Sequence, residues 1–536
     1  MLSALAVAVA FAAAAPATAQ APAPDLAIAA CPALYALGIQ GTGQSSPDAA
    51  PTIDTGMLST VFRPLLAKAP DPGLVERAYV PYESGFGGFT AGGPAPYIQS
   101  VTGGLERLRA MARSVVERCA ATRLAIVGYS QGAHVASLFA QEVGQGQGVV
   151  APDKIAAVAL FGDPTRNPGA ALFPGSPGRT TPDAAPDTEG VRVATVAALN
   201  QTPATGGGIA PDRDQAENFA ALTGRVASFC TAGDLSCDAP EGAPILRAVA
   251  NIAGQAQVSG GDPITALVSV AQALAYTSIK AASTVVEQDV SGNTLANLSL
   301  SPRKSISERL ADASDPRAPI DVDVDASFHA LLRVGLIGLN AVVTVVKAVI
   351  DPATIAQLGT AGLSNPVAGL ALLGAKLIGA VPQLVPPTTI SRLVTQAYDA
   401  VVQNATDNRA LLDTTTWVKY WDTVRRHGAY ESAAVTATGD APVRFVADWF
   451  AAVARDLDDE LGRGGIPRSV STTPTPGLSV SRTGASATPN DSGTGEFPFG
   501  NGATSAPSSG ATDLDSTSPP AAVPGTPSIV YPSVTN

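Results

Sequence analysis

The pentapeptide Gly128-Tyr129-Ser130-Gln131-Gly132 constrains this chain more than any other feature. It has the form G-x-S-x-G. The apolar run Leu124-Ala125-Ile126-Val127 precedes it, and Ala133-His134-Val135-Ala136-Ser137-Leu138-Phe139-Ala140 follows it. That context reads as strand, sharp turn and helix. The glycines matter because the turn is tight, and side chains at 128 and 132 would meet neighbouring backbone. Such a turn lifts the serine hydroxyl above a sheet and aims a helix N-terminus at an oxyanion forming beside it. Ser130 is therefore the expected nucleophile. The bland alternative is a tight strand-to-helix connection with an incidental serine.

The surrounding sequence alternates strand and helix patterns. Strand candidates are Ala33 to Ile39, Ala78 to Tyr82, Leu124 to Val127, Ile155 to Phe161 and Arg225 to Phe229. Helix candidates are Leu105 to Ala120, with Leu108, Met111 and Val115 on one face, and the run after Ser130 to about Glu142. Alternation of this kind predicts a parallel sheet covered by helices on both faces. Sites in such sheets lie at the carboxyl ends of the strands, where Ser130 is placed.

An activated serine needs a base, and the base needs an acid to hold its tautomer. In this strand-turn-helix context the chain order is Ser, Asp, His. Cys230-Thr231-Ala232-Gly233-Asp234-Leu235-Ser236-Cys237 follows a strand and frames one aspartate with two cysteines. A disulfide there would stiffen the loop that presents Asp234. Asp163 is the rival acid, though before Pro164 it fits a turn-capping role. Three histidines compete as base, at 134, 329 and 427. His134 lies one helical turn past Ser130, which carries its side chain away from the hydroxyl, and reads as helix packing. His329 opens an apolar run. His427 precedes a helix candidate, Pro442 to Leu461, whose apolar stripe is Val446, Trp449, Phe450 and Val453.

Beyond these segments the character changes. Residues 1–19 read as a secretory signal: Leu2 to Ala15 is almost wholly apolar and Ala17-Thr18-Ala19 forms a cleavage site, although no Lys or Arg precedes the run. Export permits disulfides, and four cysteines suit two bridges. Residues 240–415 are poor in charge and helical in pattern, with candidates at Pro263–Glu287, Ser327–Ile350, Pro366–Val381 and Thr389–Asn404. They read either as a helical subdomain buried on itself and the core, or as a lid or lipid-facing surface. The charge-free run Val334 to Val346 is too short to span a bilayer alone. Residues 464–536 are dominated by Ser, Thr, Pro and Gly, the composition of a disordered tail. A formal net charge of −12 argues against a nucleic-acid partner, and no histidine pair has metal-ligand spacing. No metal and no cofactor are expected.

Together these residues resemble the cutinase family, especially its secreted actinobacterial members. The likeness is carried by Cys31, Gly41-Thr42-Gly43, Cys119, Gly128 to Ala133, Phe161-Gly162-Asp163-Pro164, Cys230 to Cys237 around Asp234, and His427-Gly428-Ala429-Tyr430 with the closing helix. It covers about residues 30–239 and 416–462. It implies an α/β-hydrolase-type three-layer sandwich with a central parallel sheet, and a helical insertion between the acid and the base. It implies bridges Cys31–Cys119 and Cys230–Cys237. It implies Ser130 as nucleophile, Asp234 as orienting acid, His427 as base, and an oxyanion hole from the Gln131 amide with the amide and hydroxyl of Thr42. The departure from the family pattern is the long interval between Asp234 and His427, which are 193 positions apart. The expectation is a secreted or envelope-associated serine esterase for lipophilic esters, with envelope or membrane contact through the insertion. An acyltransferase with the same triad and a non-catalytic envelope-binding protein are the alternatives.

Overall fold

The computed structural model describes residues 31–88, 92–255, 273–274, 277–278, 280–285, 287–291, 299–318, 387–420 and 422–464, with positions 26 and 28. The signal expected at 1–19, the tail beyond 464, the candidates Ser327–Ile350 and Pro366–Val381, part of Pro263–Glu287, and His329 lie outside the described residues.

Five strands form one sheet: β1 (Leu34–Ile39), β2 (Val75–Tyr79), β3 (Arg123–Tyr129), β4 (Ile155–Phe161) and β5 (Val226–Phe229). Their order is β2-β1-β3-β4-β5 and every pairing is parallel. The helices between them are α1 (Ser59–Lys68), α2 (Tyr97–Arg118) and α3 (Gln131–Gly144). The chain steps from β1 outward to β2, then back across β1 to β3. Right-handed crossovers therefore place α1 and α2 on opposite faces. α1 packs with the closing helix Pro442–Gly464 on one face, and α2 packs with α3 on the other. This is the expected three-layer α/β sandwich.

Alternation along the strands divides the core. On the α1 face the sheet offers Ala125, Val127, Ala157, Ala159 and Ala227, which leave room for Phe62, Phe445, Trp449 and Phe450. On the α2 face it offers Leu124, Ile126, Val158 and Leu160, which meet Val101, Leu108, Val135 and Phe139. Small strand residues thus oppose large helix residues on one side, and the sizes even out on the other. All strand residues of β1, β4 and β5 are buried. Continuous apolar runs of this kind are what a sheet covered on both faces requires.

Three sequence readings shift. The second strand is Val75–Tyr79 rather than 78–82, because β2 is an edge strand and its Glu76 and Arg77 mask the apolar pattern. α2 begins at Tyr97, eight residues before Leu105, and runs through Gly103 and Gly104. The latter glycine is a packing site: a Cβ there would lie 2.9 Å from the Tyr82 ring and 3.0 Å from Val135. α1 was hidden by Pro64 in its interior. The bridge Cys31–Cys119 ties the segment before β1 to the end of α2, and Cys230–Cys237 closes the loop after β5. After that loop come α4 (Pro244–Ala253) and the helices Ile306–Ser314 and Pro387–Asp407. The chain returns to the core through the short helices Thr414–Tyr420 and Thr423–His427.

Candidate active site

β1 and β3 are neighbours, yet their following connections leave in opposite directions. Their carboxyl ends form the switch point of the sheet, where doubly wound folds leave a crevice. Ser130 stands there between β3 and α3 with φ 56° and ψ −122°. A non-glycine residue in this sparse region costs about 1–3 kcal/mol and needs surroundings that hold it. They are present: the Ser130 amide donates to the Phe161 carbonyl at 2.8 Å, and its own carbonyl accepts from Ala133 and His134. A Cβ on Gly128 would lie 2.3 Å from the Gly132 carbonyl, and one on Gly132 would lie 2.0 Å from the Ile39 carbonyl. The glycines are fixed by close backbone approach, as the motif suggested.

The structure brings Asp234 and His427 to this serine. His427 Nε2 lies 2.8 Å from Ser130 Oγ, and His427 Nδ1 lies 2.9 Å from Asp234 Oδ2. Asp234 is 1% exposed, whereas the His427 side chain is 25% exposed. Burial opposes the charge on Asp234, but hydrogen bonds from His427, Tyr430 and Ser236 outweigh it and hold the carboxyl below the usual range. The carboxylate can only accept, so Nδ1 carries the hydrogen and Nε2 is free to take one from Ser130. This arrangement can generate an alkoxide-like nucleophile and return the proton to a leaving group.

His427 and the short helices before it are tied directly to the core. Its carbonyl accepts from the Tyr129 hydroxyl at 3.0 Å, and the two rings stack with centroids 5.1 Å apart. Thr423 Oγ1 accepts from the Leu235 amide at 2.9 Å, and Arg426 donates to the Ala232 carbonyl at 2.6 Å. Lys419 pairs with the fully buried Asp238 at 2.7 Å. The loop that carries the acid therefore also grips the segment that carries the base. Gly162, with φ 61°, closes the floor: a Cβ there would lie 3.0 Å from His427 Cε1 and 3.1 Å from Asp234 Oδ2.

Gln131 opens α3, so its amide has no carbonyl four residues back in its own helix. Its side chain is tied away, donating to the Gly85 carbonyl at 3.0 Å and accepting from the Tyr82 hydroxyl at 3.3 Å. Thr42 lies in the loop after β1, which runs beside the elbow. A Cβ on Gly41 would lie 3.3 Å from Ser130 Cβ, and the Gly43 amide donates to Ser84 at 2.9 Å. Two amide-bearing segments thus converge beside Ser130.

Two residues of the site were missed in the sequence. The buried Tyr430 hydroxyl donates to Asp234 Oδ2. Ser236 Oγ lies 2.7 Å from Asp234 Oδ1 and 3.1 Å from His427 Nδ1. The available signals were position alone: Ser236 two residues after the acid inside the stapled loop, and Tyr430 three after the base. Asp163 is turned to its own turn, accepting from Thr165 N at 2.9 Å and from Thr165 Oγ1. His134 departs from the packing role read for it. It is fully buried, but both ring nitrogens have polar partners, Asp214 and Tyr97. Among the described residues no group of three or more His, Cys, Asp or Glu could hold a metal ion.

A family model, Cutinase, matches residues 53–247. Those residues are a cutinase-family domain. The match holds Ser130 and Asp234; Thr42 stands before it and His427 well beyond it. The chain is also similar to a carboxylesterase Culp6 homolog of Corynebacterium glutamicum, 30% identical over 219 residues. That likeness covers 39% of this chain and spans 66% of the relative's length. Solved structures similar to the chain include the catalytic core domain of acetyl xylan esterase from Trichoderma reesei. It is 20% identical, with 45% of this chain and 98% of that one covered and a TM-score of 0.27. Lysin B from Mycobacteriophage D29 is 21% identical, with 45% and 87% covered and a TM-score of 0.27.

Proposed function

We propose that this protein is a serine carboxylic ester hydrolase that works through an acyl-enzyme. The observation that carries the reading is the file of three side chains, with Ser130 Oγ 2.8 Å from His427 Nε2 and His427 Nδ1 2.9 Å from Asp234. Ser130 attacks the ester carbonyl as His427 takes its proton. The tetrahedral oxyanion is received by the amides of Gln131 and Thr42 and by the Thr42 hydroxyl. Loss of one such donor raises a barrier by about 3–4 kcal/mol. The protonated imidazole, steadied by Asp234, gives its proton to the departing alcohol. Water then repeats the sequence in reverse and frees the acid.

The proposed substrates are lipophilic esters: acylglycerols, polyesters or cell-envelope lipids. Exposed apolar side chains support this. Val418 and Val424, on the two short helices leading to His427, are 75% and 84% exposed. Val249, Leu274, Tyr398 and Val402, in the stretch between acid and base, are also exposed. Single exposed apolar residues are ordinary, but their concentration on the segments that lead into the base suits contact with an apolar ester or an envelope surface. We place the protein outside the cytoplasm, a reading supported by the apolar N-terminal run and two disulfides. Among the described residues no helix is long and apolar enough to cross a membrane.

The test is a chain-length series of aryl esters given to wild type and Ser130→Ala, with product analysis in the presence and absence of an alcohol acceptor. Saturable release of acid by wild type alone is expected, with rates that depend on acyl length. Transfer of the acyl group to the acceptor in preference to water would replace hydrolase by transferase. Equal turnover by Ser130→Ala would overturn the nucleophile.

A further inference from the structure

The stretch between Asp238 and Thr414 touches the core at a place that the catalytic reading leaves unexplained. After the helix Ile306–Ser314, Asp315 and Arg317 meet Arg213 and Asp214, which belong to a short turn of the core. The pairs cross. Arg317 Nη2 lies 2.5 Å from Asp214 Oδ2, while Arg213 lies 3.8 Å from Asp315 and donates to the Arg317 carbonyl at 3.1 Å. Arg317 Nε is also 3.1 Å from Asp315. Both carboxylates are buried. Nearby, Arg247 of α4 pairs with Asp212, and the Gly254 carbonyl accepts from the Tyr97 amide at 2.8 Å.

The other side of Asp214 faces the elbow helix. His134 Nε2 lies 3.0 Å from Asp214 Oδ2, and His134 Nδ1 lies 3.2 Å from the Tyr97 hydroxyl. A carboxylate only accepts, so Nε2 carries the hydrogen and Nδ1 takes the Tyr97 hydrogen. His134 is in the first turn of α3, and its amide donates to the Ser130 carbonyl at 3.1 Å. Gln141, further along α3, donates to the Asp214 carbonyl at 3.1 Å. Asp163 is the other acid near this imidazole, and Thr165 occupies its carboxylate. Burial opposes the charge on Asp214, and His134 with Arg317 overcomes it and lowers its pKa.

We propose that Arg317 is a positioning residue for Ser130, acting through Asp214 and His134 on the first turn of α3. The inference rests on the reading of Ser130 as nucleophile. A buried carboxylate requires a compensating cation or must move, take up a proton or admit water. Arg213 cannot replace Arg317, because it is half exposed and already directed at Asp315. Removal of Arg317 therefore strains the Asp214–His134 contact, and that strain is delivered one helical turn from Ser130 and beside the Gln131 amide. The described part of the segment around Arg317 is thus clasped to the elbow helix and acts as a fixed buttress.

The test compares Arg317→Gln, Arg317→Lys and the double variant Arg317→Gln with Asp214→Asn, all in the full chain. Active sites are counted with a fluorophosphonate, and acylation by a short aryl ester is measured per titrated site. The ring N–H resonance of His134 is followed by NMR. Arg317→Gln should lower the acylation rate about tenfold, with KM changed less than about twofold, since misplacement of the reacting groups acts on the chemical step. Its His134 resonance should shift. Arg317→Lys should recover most of the rate, and so should the double variant, because an amide needs no cation. A wild-type rate per site in Arg317→Gln would reduce the clasp to a structural role and overturn the proposal. An unmoved His134 resonance, or a double variant no faster than Arg317→Gln, would do the same. Failure of the nucleophile reading looks different: wild type would take no label on Ser130, or Ser130→Ala would turn over the ester as fast as wild type.

Discussion

Asp234→Asn probes the site with the least change in shape. The hydrogen bonds of the carboxylate decide which way the new amide faces. Oδ1 accepts from the Ser236 amide at 3.0 Å and from Ser236 Oγ at 2.7 Å, so the amide oxygen takes that side. The NH2 group then occupies the place of Oδ2, 2.9 Å from His427 Nδ1, and the Tyr430 hydroxyl turns from donor to acceptor there. The amide oxygen, 3.0 Å from Nδ1, is the one acceptor left for a hydrogen there, and the donating NH2 group favours the tautomer with the ring hydrogen on Nε2. That hydrogen now points at Ser130 Oγ across 2.8 Å, where an acceptor is needed. The base is present but in the wrong tautomer, and the imidazolium of the transition state loses its counter-charge. The expected fall in kcat is about 10⁴-fold, or about 5.5 kcal/mol. The assay is release of p-nitrophenol from a short ester, with the folded fraction checked by circular dichroism. A folded Asp234→Asn that keeps a tenth or more of wild-type kcat would refute the assignment of the acid and the derivation of the tautomer.

Other outcomes follow from single contacts. Gly132→Ala places a methyl 2.0 Å from the Ile39 carbonyl and 2.5 Å from the Gln40 carbonyl. It should destabilise the fold by at least about 2 kcal/mol and lower activity, as chemical melts and ester turnover would report; a wild-type melt would contradict the close approach. Burial raises Asp163 to about 6 although Thr165 donates to it. The folded state then holds an extra proton between about pH 4 and 6, so this group makes stability fall as pH rises through that window, by about 3 kcal/mol. Asp163→Asn should remove that slope from urea melts at pH 4 and 7 and leave kcat near wild type; an unchanged slope would count against it. The bridges close loops of separation 88 and 7. Chain entropy gives about 4.6 and about 2.4 kcal/mol for them, so loss of Cys31–Cys119 should cost more stability. Loss of Cys230–Cys237 should cost more activity, because that loop carries Asp234.

Legibility in the sequence followed locality. Ser130 could be read because its requirements lie within five residues: two glycines at which a Cβ would lie 2.0–2.3 Å from neighbouring carbonyl oxygens, and apolar flanks that make a strand and a helix. Asp234 stood out because two cysteines frame it. Chain order leaves His329 and His427, and the helix candidate after His427 with the family-like run His427-Gly428-Ala429-Tyr430 favours the latter, yet nothing in its neighbourhood says where it folds. Its place depends on Tyr129, Ala232, Leu235 and Asp238, which lie between 180 and 300 positions away. The same distance hid the role of His134. Its partners come from positions 97 and 214, and Asp214 is completed by Arg317. The pattern of α3 shows only that position 134 faces inward. Tyr430 and Ser236 escaped for a related reason: a hydroxyl has no meaning in a site until the carboxylate it faces is known. The β2 edge strand failed through its charges, and α1 through its proline.

Ser130, served by His427 and Asp234, is expected to form a covalent acyl intermediate. The most direct measurement is intact mass after rapid acid quench of the enzyme with a slowly deacylating ester, followed by peptide mapping. One added acyl group is expected, on the peptide that contains Ser130, accumulating in wild type and absent in His427→Ala. An acyl group on another residue, or ester turnover with no acylated species while His427→Ala remains as active as wild type, would contradict it.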